Sequence, residues 1–162
     1  MGFRRLNIPF LLWWRLHRQL RRRSRDVRES GAFLLGIRSD AGIDTARLFL
    51  CYDDLDPTSL AKGYIDFHAS GFSKLWAECR HRKMVVLADV HTHPGNDSSQ
   101  SETDRTNPMI GERGHIAIIV PRFAQGWCFQ LRRLSAYEYQ QNYEWSDWNG
   151  AKRSDRVRFT WW

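Results

Sequence analysis

The amino-acid sequence predicts a single domain of the mixed α/β class that spans residues 1–162. The chain has 162 residues, a length typical of one domain with one continuous core. Short apolar runs typical of buried strands alternate with segments in which apolar residues recur at helical spacing, and this order indicates an α/β architecture. Because 42% of the residues are hydrophobic and 27% are charged, the composition excludes a low-complexity or disordered chain.

The first predicted elements are a helix and a hairpin. Residues 10–23 place Leu12, Leu16 and Leu20 at helical intervals among arginines, which predicts an amphipathic helix. Two apolar runs then flank a turn rich in aspartate and glycine, at residues 31–37 and 47–52. This pattern predicts two strands joined as a β-hairpin.

The remainder of the chain adds one helix and several strands. Leu75 and Cys79 lie at helical spacing within residues 70–82, and Ser70 is the candidate cap of this second helix. Apolar, β-branched or alternating patterns predict five further strands, at residues 64–68, 84–90, 114–121, 127–134 and 156–162. We expect the last of them to be an edge strand.

Positive charge is concentrated at the N-terminal end of the chain. The formal net charge is +7, but residues 1–28 hold nine arginines and one acidic residue, Asp26, so the other 134 residues sum to −1. Charge confined to one segment is weak support for nucleic-acid binding by the whole fold, and nucleic acid is not expected as a partner. We interpret residues 1–28 as a basic strand/helix segment packed on the domain with a solvated outer face. The alternative is a helix that binds anions or a membrane surface.

Cysteine usage and apolar segments predict the compartment. The three cysteines, Cys51, Cys79 and Cys128, are odd in number and widely spaced, which suits neither a disulfide framework nor a Cys-x-x-Cys metal site. The apolar stretch at residues 8–14 is interrupted by Arg15 and lacks a cleavage site after it, so no signal peptide is predicted. No run reaches the roughly 18 to 20 apolar residues of a transmembrane helix. We therefore expect a cytoplasmic protein.

The strongest functional signal is the window from His91 to Asp104. Side chains two residues apart on a strand share one face, so His91 and His93, at the end of the predicted 84–90 strand, present two imidazoles to one metal ion. Asp104 supplies an oxygen as third ligand, and this donor set leaves one tetrahedral position of Zn²⁺ open for catalysis. Imidazole and carboxylate donors favour zinc over iron or copper for hydrolysis, and zinc acidifies a water molecule. The sequence therefore predicts a catalytic zinc site.

Ser101 lies three residues before Asp104 and has two interpretations. On one helical turn the two side chains share a face, which would place the serine hydroxyl beside the metal as a donor to a developing oxyanion. The alternative is a helix cap of the capping-box kind. The joint match of residue types at this spacing argues against coincidence, but both roles of Ser101 stay open.

The spacing His91-x-His93-Pro94, then six residues, then Ser101-x-x-Asp104 resembles the motif of the JAMM/MPN+ metalloproteases. The resemblance implies a cytidine-deaminase-like mixed β-sheet flanked by helices, with the two histidines and the aspartate as zinc ligands. It also implies that Ser101 is catalytic.

The same family has a glutamate that acts as the general base and lies just before a short Gly-rich apolar run. Glu29, followed by Ser30 and Gly31, matches that context and is the implied base. Two positions depart from the family pattern: Ala32 stands where many members have glycine, and Asp89 precedes the histidines where a neutral or aromatic residue is common. Asp89 is a candidate partner for an imidazole N–H.

The remaining histidines have no comparable cluster of ligands around them. His115 opens a predicted strand and is interpreted as a core or rim histidine with its hydrogen bonds satisfied. His17 and His68 likewise have no chemical partners in the sequence pattern.

The resemblance implies hydrolysis of the isopeptide or peptide bond after the C-terminal tail of a ubiquitin-like protein. The chain looks like compact bacterial members, some of which act in antiviral defence operons. The implied partners are a ubiquitin-like protein, its conjugates and E1- and E2-like enzymes. One alternative is a maturation protease for a sulfur-carrier-type precursor. A second is a non-catalytic module that binds nucleic acid or membrane through the basic helix.

Overall fold

The computed structural model describes residues 4–162; residues 1–3, which belong to the predicted domain and its basic segment, lie outside the described residues. One eight-stranded mixed β-sheet has helices on both faces, which confirms the predicted α/β fold. The strands are β1 (Arg5–Pro9), β2 (Gly31–Ile37), β3 (Ile43–Cys51), β4 (Val85–Thr92), β5 (Ile116–Val120), β6 (Ser135–Gln141), β7 (Glu144–Asp147) and β8 (Val157–Thr160). The helices are α1 (Phe10–Ser24), α2 (Tyr52–Leu55), α3 (Ala69–Arg82), α4 (Glu102–Thr106) and α5 (Arg153–Arg156).

The sheet is built around the predicted β2–β3 hairpin. Its strand order is β7-β6-β5-β4-β2-β3-β1-β8, and β2 pairs antiparallel with both β3 and β4. The end of β4 therefore lies beside the start of β2, where His91 is opposite Gly31. This register brings the histidine pair close to the segment that precedes β2.

Each face of the sheet has its own apolar core because β2 is buried on both sides. Ala32 and Leu34 pack on the face covered by α1, and Phe33 and Leu35 pack on the face covered by α3. Side chains that alternate along a strand separate these two layers. The two faces of the sheet are therefore distinct environments for polar residues.

The two long helices agree closely with the predicted ones. α1 extends one residue beyond the predicted 10–23 segment and buries Trp13, Leu16 and Leu20. α3 begins one residue before the predicted range, but the predicted Ser70 cap is wrong, since His68 is the N-cap residue and has no side-chain capping bond. Within residues 4–162, none of the helices combines the length and apolar character needed to cross a membrane.

The predictions for the strands include two errors and two omissions. Residues 64–68 are irregular and lie against the α3-side core through Ile65 and Phe67. Residues 127–134 form turns, because their backbone serves other contacts: Trp13 Nε1 donates to the Cys128 carbonyl at 2.7 Å. Both sides of β5 are already paired, with β4 and with β6, so neither of these two segments can pair with β5. β6 and β7 are not among the predicted strands, whereas β1 lies in residues 1–28, predicted as a strand/helix segment, and β8 confirms the C-terminal edge strand.

Candidate metal centre

Strand β4 positions both predicted histidine ligands at its carboxyl end. Val90 packs on the α1 face, so the alternation of the strand turns His91 to the opposite face. Thr92 returns to the α1 side, where its Oγ1 lies 3.2 Å from Ser24 Oγ at the end of α1. The backbone N–H of His93 donates to the last carbonyl of β5 at 2.9 Å. These bonds fix the strand end that carries the two imidazoles.

A short capped helix brings the predicted carboxylate ligand to the histidines. Ser101 is the N-cap of α4: its Oγ accepts from the Asp104 N–H at 3.1 Å, and Asp104 Oδ2 accepts from the Ser101 N–H at 2.8 Å. This is the capping box expected as one of the two roles of Ser101. The serine hydroxyl also donates to Asp104 Oδ2 at 2.8 Å. Ser101 therefore holds the side chain of Asp104 in place.

The three predicted ligands converge on one point. Nε2 of His91 lies 3.2 Å from Nε2 of His93, and the Asp104 oxygens lie 3.1 Å from His93 Nε2 and 3.4 Å from His91 Nε2. Two ring nitrogens at this distance repel each other unless a proton or a cation lies between them. A tetrahedral ion with bonds of about 2.0–2.1 Å needs donor atoms about 3.3 Å apart, so this donor set fits a metal ion. Among residues 4–162, it is the one group of His, Cys, Asp and Glu side chains with such proximity.

The electrostatics of the ligand cluster favour positive charge. Burial opposes the protonated form of His91, but hydrogen bonds to Asp104 and Asp89 outweigh it and raise the pKa of His91 to about 10. Burial also disfavours the anion of Asp104, yet hydrogen bonds from His91 and His93 hold the pKa of this carboxyl well below its usual range. Asp104 is thus ionised at neutral pH. A metal ion that binds here displaces a proton, so metal binding depends on pH.

A buried carboxylate lies behind His91. Asp89 accepts hydrogen bonds from His91 Nδ1 at 3.3 Å, from His115 Nε2 at 2.7 Å and from the Tyr52 hydroxyl at 3.3 Å. Burial opposes its charge, but the bonds from His115 and His91 lower the pKa of Asp89. Because an ionised carboxylate can only accept, His91 Nδ1 carries a hydrogen, and Nε2 is the atom that loses its proton and offers a lone pair when a metal ion binds. His115 is the buried histidine with a satisfied hydrogen bond that the sequence predicts.

Glu29 lies on the same cleft as the ligand cluster. Its backbone N–H donates to the Gly63 carbonyl at 2.9 Å, and the nearby backbone of Ile65 favours the ionised form of its carboxylate. Burial raises the pKa of Glu29, although the charges of the histidine pair oppose the rise. A cleft of about 690 Å³ is lined by Glu29, His91, Ser101 and Asp104. The structure thus brings together all five predicted site residues.

Comparison with known proteins places the chain in a family. Residues 12–132 match the model of the prokaryotic homologues of the JAB domain, and this span contains all five site residues. The chain belongs to the JAB/MPN family. A solution structure of a protein from Desulfitobacterium hafniense has a TM-score of 0.62 at 12% identity, over 96% of this chain and 92% of that one. A solution structure of a Salinibacter ruber protein has a TM-score of 0.55 at 18% identity, over 94% and 90%; both likenesses concern the fold alone.

This JAB-domain protein also has an apolar wall on its cleft that sequence reasoning missed. Tyr52, Phe67 and Phe72 line the cleft beside Glu29. Tyr52 lies so close to the start of β2 that a Cβ added at Gly31 would be 2.2 Å from its ring, which explains the glycine at that position. The one sequence signal for this wall is the apolar character of residues 64–68. That pattern predicts a strand, whereas the structure places this segment on the cleft.

Proposed function

We propose that this JAB-domain protein is a zinc-dependent hydrolase that cuts the isopeptide or peptide bond after the C-terminal tail of a ubiquitin-like protein. The proposal depends on the 3.1–3.4 Å spacing of the donor atoms of His91, His93 and Asp104, with Glu29 on the same cleft. Metal-dependent amide hydrolysis uses a Lewis acid and a general base in one site. The proposed setting is a bacterial ubiquitin-like conjugation or antiviral defence system in the cytoplasm, with E1- and E2-like enzymes as partners.

The three ligands would hold Zn²⁺, and the residues around them orient each donor. When bound, zinc supplies Lewis acidity, which acidifies water and polarises the scissile carbonyl. Asp89 fixes the hydrogen of His91 on Nδ1, and Ser101 fixes the Asp104 carboxylate. The ligands therefore need little rearrangement to bind the ion, because their donor atoms already face a common centre and only a proton has to leave.

Glu29 moves the proton in the proposed reaction. Its carboxylate takes a proton from the attacking water and then gives it to the leaving amine nitrogen, after which the glutamate is ionised again. Burial raises the pKa of Glu29, which makes it a stronger base than an exposed carboxylate.

Ser101 has one hydroxyl hydrogen for two tasks. In the structure this hydrogen is donated to Asp104 Oδ2. To stabilise the oxyanion of the tetrahedral intermediate, the hydroxyl turns toward the cleft, while its oxygen keeps the capping bond from the Asp104 N–H. If the hydroxyl acts in this way, Ser101→Ala lowers turnover by about 10²–10³-fold. A change below about threefold would assign the serine to the helix cap alone.

The decisive experiment combines metal analysis with defined substrates. Ubiquitin-like proteins that end in a Gly-Gly-type tail are offered either fused to a peptide or linked to a lysine, with and without a chelator. We expect cleavage after the tail that chelation abolishes and zinc restores. The two substrate types separate deconjugation from precursor maturation.

Variants at two glutamates test the assigned base. Glu29→Gln is expected to retain zinc by elemental analysis yet lose about 10²–10⁴-fold in turnover. Glu144→Gln, exposed on β7, is the matched control and keeps wild-type turnover. Wild-type cleavage by Glu29→Gln, or cleavage that resists chelation, would refute the proposed mechanism.

A further inference from the structure

The outer face of α1 carries a row of arginines without acidic partners. Arg15, Arg18 and Arg22 follow one another three or four residues apart on α1 and are all exposed, so they share one side of the helix over about 10 Å. Arg25, the exposed C-cap residue of α1, lines the same surface cleft and continues the row. Within residues 4–162, none of the four lies in an ion pair, whereas Arg23 beside them pairs with Asp53 and Asp54. We name these four residues the arginine row.

The stability of the helix does not account for the arginine row. Cations stabilise the last turn of a helix through its dipole, which explains Arg21, Arg22 and Arg23. Arg15 and Arg18 lie further toward the helix start, where no dipole effect favours them, and like charges at this spacing repel each other. An anionic partner would remove that repulsion.

An exposed aromatic cluster adjoins the N-terminal end of α1. Phe10 contacts Phe129 and Trp161, with ring centroids 5.4 and 4.8 Å away, and Trp127 packs on Phe129 at 5.4 Å. Trp127 is 68% exposed and Trp161 is 79% exposed. Large exposed aromatic side chains in mutual contact form an apolar patch, and such patches mark interaction surfaces.

Two residues join the aromatic cluster to the arginine row. Leu11 and Trp14 are exposed on the same side of α1, and the Arg18 guanidinium lies over the Trp14 ring at 4.8 Å. Trp127 and Phe129 meet edge to face at 85°. Trp14 is therefore covered on one face by Arg18, whereas single-stranded nucleic acid needs rings with open faces on which bases stack. Exposed Trp and Leu beside arginines instead suit the headgroup layer of a membrane.

We propose that the outer face of α1 binds the surface of an anionic lipid bilayer. The arginine row contacts lipid phosphates, and Leu11, Trp14, Trp127 and Trp161 enter the interfacial layer. α1 and the metal cleft lie on opposite faces of the sheet, since Tyr52 and Phe72 of the cleft belong to the α3-side core. A membrane-bound molecule therefore keeps its cleft directed away from the bilayer. This interaction does not depend on the proposed hydrolysis.

Co-sedimentation of the full chain with vesicles tests the arginine row. We expect binding to phosphatidylcholine vesicles that contain phosphatidylglycerol, weaker binding at high salt, and little binding to phosphatidylcholine alone. Combined replacement of Arg15, Arg18 and Arg22 by glutamate should reduce binding at least about 100-fold. The matched control makes the same replacement at three exposed arginines outside the row, Arg38, Arg47 and Arg80, and should lose less than about tenfold.

A second pair of variants tests the aromatic cluster. Trp127→Ser combined with Trp161→Ser should weaken vesicle binding by about tenfold or more, whereas Trp76→Ser, on α3, should leave it unchanged. Circular dichroism checks that each variant is folded. Absence of vesicle binding by the wild-type chain, or equal losses in the row and control variants, would overturn the proposal. Binding to an oligo-dT strand without vesicle binding would assign the face to nucleic acid, and dimers that the tryptophan variant dissociates would assign it to a second copy; either result also overturns it.

Discussion

Two buried histidines on opposite faces of the sheet have pKa values displaced in opposite directions. His91, on the α3 face, is buried, but its hydrogen bonds to Asp104 and Asp89 raise its pKa to about 10. His17, on α1, is buried beside Trp13, and burial, with a contribution from the positive charge of Arg21, lowers its pKa to about 4. Burial disfavours the charged imidazole at both sites, so the carboxylates around His91 account for the opposite direction of its pKa displacement.

The contrast shows how this fold separates its charges. On the α3 face, ionised carboxylates enter the interior as part of a hydrogen-bonded set and create a place for a cation. On the α1 face, the interior is apolar and holds a neutral histidine, while the positive charges stay outside in the arginine row. One side of the sheet is therefore suited to bind a cation inside, and the other to bind anions at its surface.

Replacement of Asp104 by asparagine has the largest expected effect on this contrast. The change removes one ligand and the charge that raises the pKa of His91. Loss of one partner from a buried charged set costs about 3–5 kcal/mol, so we expect zinc affinity to fall by about 10³-fold in a chelator competition titration. Asp40→Asn, exposed in the β2–β3 turn, is the control and should bind zinc normally. Affinity within tenfold of wild type would exclude Asp104 as a ligand.

The stability of the α1 face in acid is the next largest expected effect. The pKa of His17 is lowered from 6.5 to about 4 in the folded chain, so its stabilising contribution is complete above about pH 6.5 and is lost as the pH falls toward 4. This displacement corresponds to about 3 kcal/mol. Lowering the pH from 7 to 4 decreases the free energy of unfolding of both proteins. The decrease should be about 3 kcal/mol smaller for His17→Leu than for the wild type, because the variant lacks the imidazole.

Denaturant titration with a chelator present measures this difference without interference from bound metal. His81→Leu, exposed on α3, is the control and should follow the wild-type pH dependence. If His17→Leu loses as much stability in acid as the wild type, the lowered pKa of His17 is not the cause of the acid sensitivity.

Asp89→Asn tests the effect of the negative charge behind His91, because it keeps the shape of the side chain and removes its charge. The hydrogen on His91 Nδ1 then loses its anionic acceptor, and we expect a 10–100-fold loss of zinc affinity, the range for partners of ligating histidines. In the metal-free protein at neutral pH, the nitrogen chemical shifts of the His91 ring should move from those of the charged imidazolium toward those of a neutral ring, because Asp89 helps to raise its pKa. Unchanged shifts and affinity together would show that Asp89 does not orient the ligand.

The sequence predicted those parts of the site that depend on local spacing. His91 and His93 are two apart on a strand, and Ser101 and Asp104 are one helical turn apart, so pattern alone placed them in pairs. Glu29 was assigned through the family resemblance, because its proximity depends on the β2–β4 register. No local pattern specifies which strands pair.

The contacts behind His91 show the same limit. Asp89 was a candidate partner from its spacing, but the donors that hold it, His115 and Tyr52, come from β4–β5 pairing and from the end of the hairpin. The wrong strand at residues 64–68 has a related cause. Its apolar residues pack against the α3-side core, and burial does not distinguish a paired strand from an irregular segment whose Ile65 lines the same cleft as Glu29.

The smallest expected effect separates the two roles of Ser101 through the choice of substitution. Asparagine caps helices as well as serine does but lacks the hydroxyl, whereas alanine provides neither. Loss of the cap costs about 1 kcal/mol and frees the Asp104 carboxylate, so Ser101→Ala should weaken zinc binding about fivefold, and Ser101→Asn should stay within about twofold of wild type. If both variants bind zinc like the wild type, the cap does not position Asp104. If Ser101→Asn then loses turnover while keeping its zinc, the hydroxyl acts in the reaction itself rather than through the helix that carries the ligand.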